Sequence, residues 1–267
     1  MQAQLSVSLD GAGTSARSVV LAAEAHSPLS LRTPRNHGHA AWVYQSSLGG
    51  GFVGSDDVRL SVEVAPGASL FLSSQASSKV YRATDARYTL NATVAAGATL
   101  VSWPDPVVCF AGAGLNQRQS FALDGRARLV CVDAWTSGRL AHGERWAFER
   151  LESRIDVDVD GMRVFRDAVS LTSQAGALAA RMGPIEAMAT VLVVGLPSLV
   201  ETLAIQIQAQ PLADPSLSPL VTISCWRWGA VIRVGAPSAE RLGSTLRDLL
   251  AAPVAALLGD DPWARKW

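Results

Sequence analysis

The chain has little of what metal, redox or nucleotide chemistry requires. Among its 267 residues there are three cysteines, four histidines and no excess of either charge, because Lys plus Arg and Asp plus Glu both number 23. Cys109, Cys131 and Cys225 are far apart and form no C-x-x-C, which excludes a disulfide framework and fits a reducing compartment. The balanced charge, with a pI near 6.9, argues against a nucleic-acid or acidic-membrane partner. It also leaves little self-repulsion to hold copies apart. No G-x-x-x-x-G-K-[ST] is present, so nucleotide hydrolysis by this chain is not expected. The G-x-S-x-G elbow is absent too. The longest apolar run, 187–200, is interrupted by Gly195 and Pro197 and falls short of the ~20 residues that span a bilayer. The start, M-Q-A-Q-L-S-V-S-L-D, has no basic stretch followed by an apolar one. A cytoplasmic protein is therefore expected.

What is present is apolar and strand-like. Hydrophobic residues make up 49% and the mean hydropathy is +0.20, enough for a sizeable core. Short alternating runs predict strands at 5–9, 18–24, 42–47, 58–64, 69–73, 79–83, 88–94, 126–135 and 144–159. Pro66-Gly67, Ala96-Gly97, Asp124-Gly125 and Asp160-Gly161 separate them as turn signals. V-A-P-G-A-S-L at 64–70 recurs as V-A-A-G-A-T-L at 94–100, and each copy reads as a hairpin stacked on the other. Leucines at helical spacing over 238–258 predict a helix with Ser238 as N-cap, Gly259 as stop and a kink or split at Pro253. A second helix is expected at 199–209, and a strand-like pattern lies at 220–234. The expected fold is mainly β: a layered, many-stranded structure of stacked hairpins with about two α-helices in the C-terminal third. One domain should cover 1–267, β-rich over 1–170 and mixed over 171–267.

Chemistry-bearing residues are sparse. Gly49-Gly50-Gly51 suits a sharp turn or close backbone approach. His37 and His39 share a face if extended, but two donors fall short of a tight metal site, and His142 stands alone. All three are weak metal candidates beside the plainer reading of solvated loop histidines. Cys109 and Cys131 sit in apolar contexts and read as small buried hydrophobes. Asp56, Asp105, Asp133, Glu144 and Asp167 fall at predicted strand edges, where a turn cap or surface charge competes with a functional role. In K-V-Y-R, Lys79 and Tyr81 should share one face and Val80 and Arg82 the other. Trp103-Pro104-Asp105-Pro106 should leave its sheet at a fixed angle.

Taken in order, L-G-G-G-F-V-G-S-D-D (48–57), S-S-Q-A-S-S-K-V-Y-R (73–82), W-P-D-P (103–106) and S-G-R-L-A-H-G-E (137–144) resemble the UreD (UreH) family of urease accessory proteins. Asp56, Gln75, Lys79, Tyr81, Arg82, Pro104, Pro106, Ala113, Gln117, Gly138, Arg139, Gly143 and Glu144 fit the family pattern, as do Asp160-Gly161, Asp167 and the closing tryptophan. Ser55 and Ser74 depart from an expected glycine and threonine. The resemblance implies a non-catalytic, mostly β scaffold that binds a UreF-like accessory protein, a UreG-like GTPase and apo-urease. It implies no tightly bound cofactor, transient Ni2+, and an internal channel along which nickel passes. Asp56, Lys79, Tyr81, Arg82, Asp105, Asp133, Arg139 and Glu144 are then the channel or docking candidates.

Two other readings fit parts of the chain. Many strands and eight tryptophans suit a β-sandwich module that binds a ligand such as carbohydrate. Paired carboxylates on a β scaffold suit a hydrolase, although no nucleophile motif supports it.

Overall fold

The computed structural model describes residues 1–35, 38–82, 85–210, 214 and 216–265. Its strands are β1 (Gln2–Asp10), β2 (Arg17–Ala25), β3 (Leu29–Arg32), β4 (Ala41–Ser47), β5 (Gly51–Phe52), β6 (Asp57–Val64), β7 (Ser69–Ser74), β8 (Lys79–Val80), β9 (Ala86–Val94), β10 (Thr99–Ser102), β11 (Val107–Cys109), β12 (Gly114–Leu123), β13 (Arg128–Thr136), β14 (Arg150–Val159), β15 (Met162–Thr172), β16 (Ala187–Val194), β17 (Leu220–Trp226) and β18 (Gly229–Ala236). The helices are α1 (Leu178–Met182), α2 (Pro197–Gln208) and α3 (Ala239–Leu258). A mainly β structure with two long helices in the C-terminal third is what the sequence predicts.

The unit that stacks is a coil, not a hairpin. Strands β1, β6, β9, β12 and β14 lie parallel in a first sheet ordered β15-β14-β12-β9-β6-β1-β2. Strands β4, β7, β10 and β13 lie parallel in a second, ordered β17-β18-β16-β13-β10-β7-β4-β3. Short strands β5, β8 and β11 pair parallel in a third row beside it. The chain passes from β6 to β7 to β8 and returns at β9. Leu70 lies beside Leu100 and Leu100 beside Leu129, so a circuit takes 30 or 29 residues. A hairpin would make its two strands antiparallel neighbours. Here Pro66-Gly67 and Ala96-Gly97 turn the corner between the two sheets, and Asp124-Gly125 does the same in a third copy. In all three the fourth residue's N–H donates to the first residue's carbonyl: Ala68 to Ala65, Ala98 to Ala95 and Ala127 to Asp124. Of the four turn signals, Asp160-Gly161 alone closes a hairpin, between β14 and β15. Antiparallel strands, β2 and β15 on the first sheet and β3 and β16 on the second, cover both ends of the parallel stack.

Between the sheets, inward residues of successive coils stack in columns. Val7, Val64, Val94, Leu123 and Val159 form one, all buried. The outer face of the second sheet is apolar as well. Val101, Val130, Val191 and Ile232 pack there under Leu203 of α2 and Leu242, Leu246 and Leu250 of α3. Burial on both faces explains why 187–194 is apolar apart from Thr190. Gly195 follows β16, and Pro197 opens α2 at a position where its missing N–H costs nothing. Ser238 caps α3 by accepting from Arg241 N–H at 3.1 Å. Ser238→Ala should lower stability by about 1 kcal/mol in a denaturant melt. Pro253 lies inside α3, which continues to Leu258 and is not split there. The strand predicted from Glu144 begins only at Arg150, and the one predicted over 79–83 ends at Val80. Among the described residues no helix is long and apolar enough to cross a membrane.

Candidate functional site

The sequence motifs converge on one face, where the third row of strands ends. Gly51 of β5 lies so close to β8 that a Cβ there would stand 1.9 Å from the Lys79 carbonyl oxygen. Tyr81 N–H donates to Phe52 O at 3.0 Å, and the Tyr81 hydroxyl donates to Gly49 O at 3.3 Å. The Tyr81 ring meets Phe110 edge-on at 5.1 Å, and the Arg139 guanidinium lies over the Phe110 ring, 4.0 Å from its centroid. Glu144 holds Arg139 through both carboxylate oxygens and accepts Ala111 N–H at 3.1 Å. That hydrogen-bonded guanidinium draws the Glu144 carboxyl down to about 2. Lys79 and Arg82 are exposed and Val80 is fully buried. Val80 and Arg82 therefore do not share a face, because β8 ends between them. Arg82 instead runs past Gly112, whose added Cβ would meet its Nε at 3.4 Å.

The interior holds a different set. In the first sheet, Tyr88, Gln117 and Ser153 occupy one inward column. In the second, Gln45 lies beside Ser74, and three strands on Asp133 lies beside Thr190, which lies beside Arg233. The two polar columns meet across the core. Asp133 accepts from Gln117 Nε2 at 2.6 Å and from Ser153 Oγ at 2.5 Å. Tyr88 donates to Gln45 Oε1 at 3.0 Å. Cys131 points at Gln119 Oε1 from 3.8 Å. Burial lifts the Asp133 carboxyl to about 6, against the two hydrogen bonds that favour its charged form. Burial likewise pushes the Tyr88 hydroxyl and the Cys109 thiol to about 12, and the Cys131 thiol well above its ordinary value. The two buried thiols are thus unreactive core groups.

Asp105 links this interior to the surface. It lies in the W-P-D-P corner that separates β10 from β11, and its N–H donates to Ser74 Oγ at 2.7 Å. It borders a small cavity of about 50 Å³ shared with Asp133, Gln117 and Tyr88. It also borders an open groove of about 520 Å³ beside Glu186, Leu140 and the first turns of α3. On the other side Gln45, Phe52 and Tyr88 separate the small cavity from a well of about 240 Å³ under Gly50-Gly51 and Ser77.

Comparison with known proteins decides the family. The model of the UreD urease accessory protein family matches residues 1–267. The chain belongs to the UreD family of urease accessory proteins. It is similar to the "Urease accessory protein UreD" of Sorangium cellulosum, 46% identical over 94% of this chain and 80% of that protein. The UreD of Anaeromyxobacter sp. is 40% identical over 96% of this chain and 88% of its own length. "Urease accessory protein D" of Oryza sativa subsp. indica is 32% identical, with 88% of each chain covered.

Not every candidate of this UreD-family chain joins the two sets. Asp56 caps a turn, its Oδ2 accepting Val53 N–H at 2.8 Å. His39 Nε2 lies 3.0 Å from Leu257 O at the end of α3, and His142 is exposed in a short 3-10 turn. His37 and Trp267 lie outside the described residues. Among the described residues no three His, Cys, Asp or Glu side chains cluster as a metal site. The seven described tryptophans are buried or half-buried, so they form no exposed aromatic row. Sequence reasoning did not single out Gln45, Tyr88, Gln119 or Ser153. The signal for Gln117 and Gln119 is in β12, where inward positions read Leu115, Gln117, Gln119 and Phe121.

Proposed function

We propose that this chain serves urease maturation as a non-catalytic scaffold through which Ni2+ passes to apo-urease. On this reading it assembles with a UreF-like protein and a UreG-like GTPase. The observation that carries the reading is the buried polar pair of columns around Asp133. A core built for stability alone would fill those positions with apolar side chains, as the neighbouring columns do. A carboxylate among amides and hydroxyls attracts a divalent cation, but offers too few donors to trap it. Weak, spaced sites let an ion move on. Asp105 stands where such a path reaches the surface groove. The motif face, with Tyr81, Phe110, Arg139 and the exposed Leu48, Val53 and Leu140 around it, is the candidate docking surface. An aromatic and arginine cluster with an apolar margin suits a protein partner.

The nickel content of urease co-produced with variant chains tests this. Asp133→Ala should cut nickel loading by about tenfold or more. Asp56→Ala, at a turn cap outside the columns, should load urease as the wild type does. Wild-type loading by a folded Asp133→Ala chain would remove the path.

A further inference from the structure

The chain has no net charge, yet its charges are unevenly spread over the outer face of the first sheet. Helices α2 and α3 pack on the second sheet, and on the first the outward side chains meet solvent. Register sets five arginines of that face in one diagonal line. Arg87 of β9 lies beside Asn116 of β12, and Arg118, two residues on, lies beside Arg154 of β14. Two residues beyond Arg154, Asp156 lies beside Arg166 of β15, and Asp158 lies beside Arg163. The line crosses four neighbouring strands. At ~4.8 Å between strands and ~3.3 Å per residue it is roughly 25 Å long.

Carboxylates on this face are too few to neutralise it. Asp156, nearly buried, accepts from Arg166 Nε at 2.7 Å, from Arg163 Nη1 at 2.8 Å and from Arg154 Nε at 2.8 Å. Asp158 also holds Arg163. Glu152 accepts from Asn116 Nδ2 at 2.9 Å, and Asp57, beside Arg87, is held by Arg59. Arg87 and Arg118 are exposed and, among the described residues, make no ion pair. Arg118 stands directly opposite Arg154, a like-charge neighbour that costs stability. Asp156 thus serves as an anchor for three guanidinium groups, whose side chains stay between 38% and 54% exposed. Each keeps further N–H donors in a fork that matches a carboxylate.

We propose that this arginine line is a docking strip for an extended acidic segment of a protein partner. The partner's Asp and Glu carboxylates take the free forks of Arg87 and Arg118 and the outward donors of the three anchored arginines. An open sheet face cannot envelop a small anion, and none of the cavities described above is lined by these residues. An extended segment of about eight residues matches the length of the line and meets it at several points. Complementary charge of this kind speeds encounter and fixes register. The proposal does not depend on a metal path.

Fluorescence anisotropy of a labelled octaglutamate peptide, titrated with the full chain at low salt, tests it. Arg118→Glu should weaken binding about tenfold or more, and Arg118→Gln should weaken it less. Arg126→Glu, at an 81% exposed position in the corner after β12, should bind as the wild type does. Arg118→Gln should melt no lower than the wild type, because the side chain has no counter-ion to lose. If Arg118→Glu does not fold, Arg118→Gln and Arg87→Gln carry the test. Wild-type binding by the folded variants overturns the strip. So does an equal loss in Arg126→Glu, which marks a general effect of charge. A folded Arg118→Gln chain that melts well below the wild type makes the residue structural, and the proposal falls. It falls too if inorganic phosphate or diglutamate binds as tightly as octaglutamate, or if the chain binds phosphatidylserine vesicles and not the peptide.

Discussion

The Asp133→Asn variant should unfold at a higher temperature than the wild type near neutral pH, and the two should converge in acid. Burial lifts the Asp133 carboxyl to about 6 from an ordinary 3.8, although Ser153 and Gln117 both donate to it. A folded-state value above the unfolded one means that the folded protein binds the proton more tightly. The stability tied to that proton is complete below 3.8 and is lost as pH rises through about 6. A shift of about two units corresponds to about 3 kcal/mol, so asparagine should recover up to that amount. Asparagine does not ionise, and Gln117 and Ser153 can re-orient to meet its amide. Thermal melts from about pH 4 to 8 check this, because only the wild type should lose stability across that window. Parallel curves for the two proteins would show that Asp133 is not held out of its ordinary range. The same variant should fail to load urease. A residue that destabilises its own fold is retained for another reason, and opposite signs in the two assays would expose it.

Gly51→Ala should be the most damaging small change on the motif face. The obstacle is space, since the added methyl would sit 1.9 Å from the Lys79 carbonyl oxygen. Relief requires β5 to separate from β8, with loss of the Tyr81-to-Phe52 backbone bond. The expected loss is about 3 kcal/mol or more, the range of severe overpacking. Tyr81 would lose its grip on the Gly49 loop, so partner capture should fall with stability. Gly54→Ala is the control. Its φ of +61° disfavours alanine, but no atom lies within 4 Å of the added carbon, so its effect should stay near 1 kcal/mol. Denaturant melts of the two variants compare them directly. Equal effects would mean that the close approach of β5 and β8 is not rigid.

Strands and long helices are legible in this sequence because their signals are local. Alternation marks β6 and β9, and Ser238 with Gly259 brackets α3 within a residue. The coil is not legible. Asp124-Gly125 carries the same turn preference whether the chain folds back on its neighbour or crosses to another sheet. That choice depends on strands some thirty residues away. It also hides the third copy of the corner, in which Asp124 and Arg126 replace the small residues of the first two. The candidate site divides in the same way. Motif order brings Tyr81, Arg139 and Glu144 to notice, and Asp105 and Asp133 stand out as carboxylates at predicted strand edges. Ser153, which bonds Asp133, is an ordinary serine until register places it opposite Gln117. Asp56 is a docking candidate in sequence and His39 a weak metal candidate, yet Asp56 caps a turn and His39 lies against the end of α3.

The circuit architecture makes length a quantised property. Parallel strands repeat at roughly 4.8 Å, so inserting or deleting one turn of about thirty residues moves the far end by one such step. Side chains would keep their inward or outward sense, because a whole turn preserves the two-residue alternation. The span separating the covering strands β3 and β16 thus works as a ruler graduated in coils. A relative with one more coil should offer the same two termini to its neighbours, one graduation farther apart.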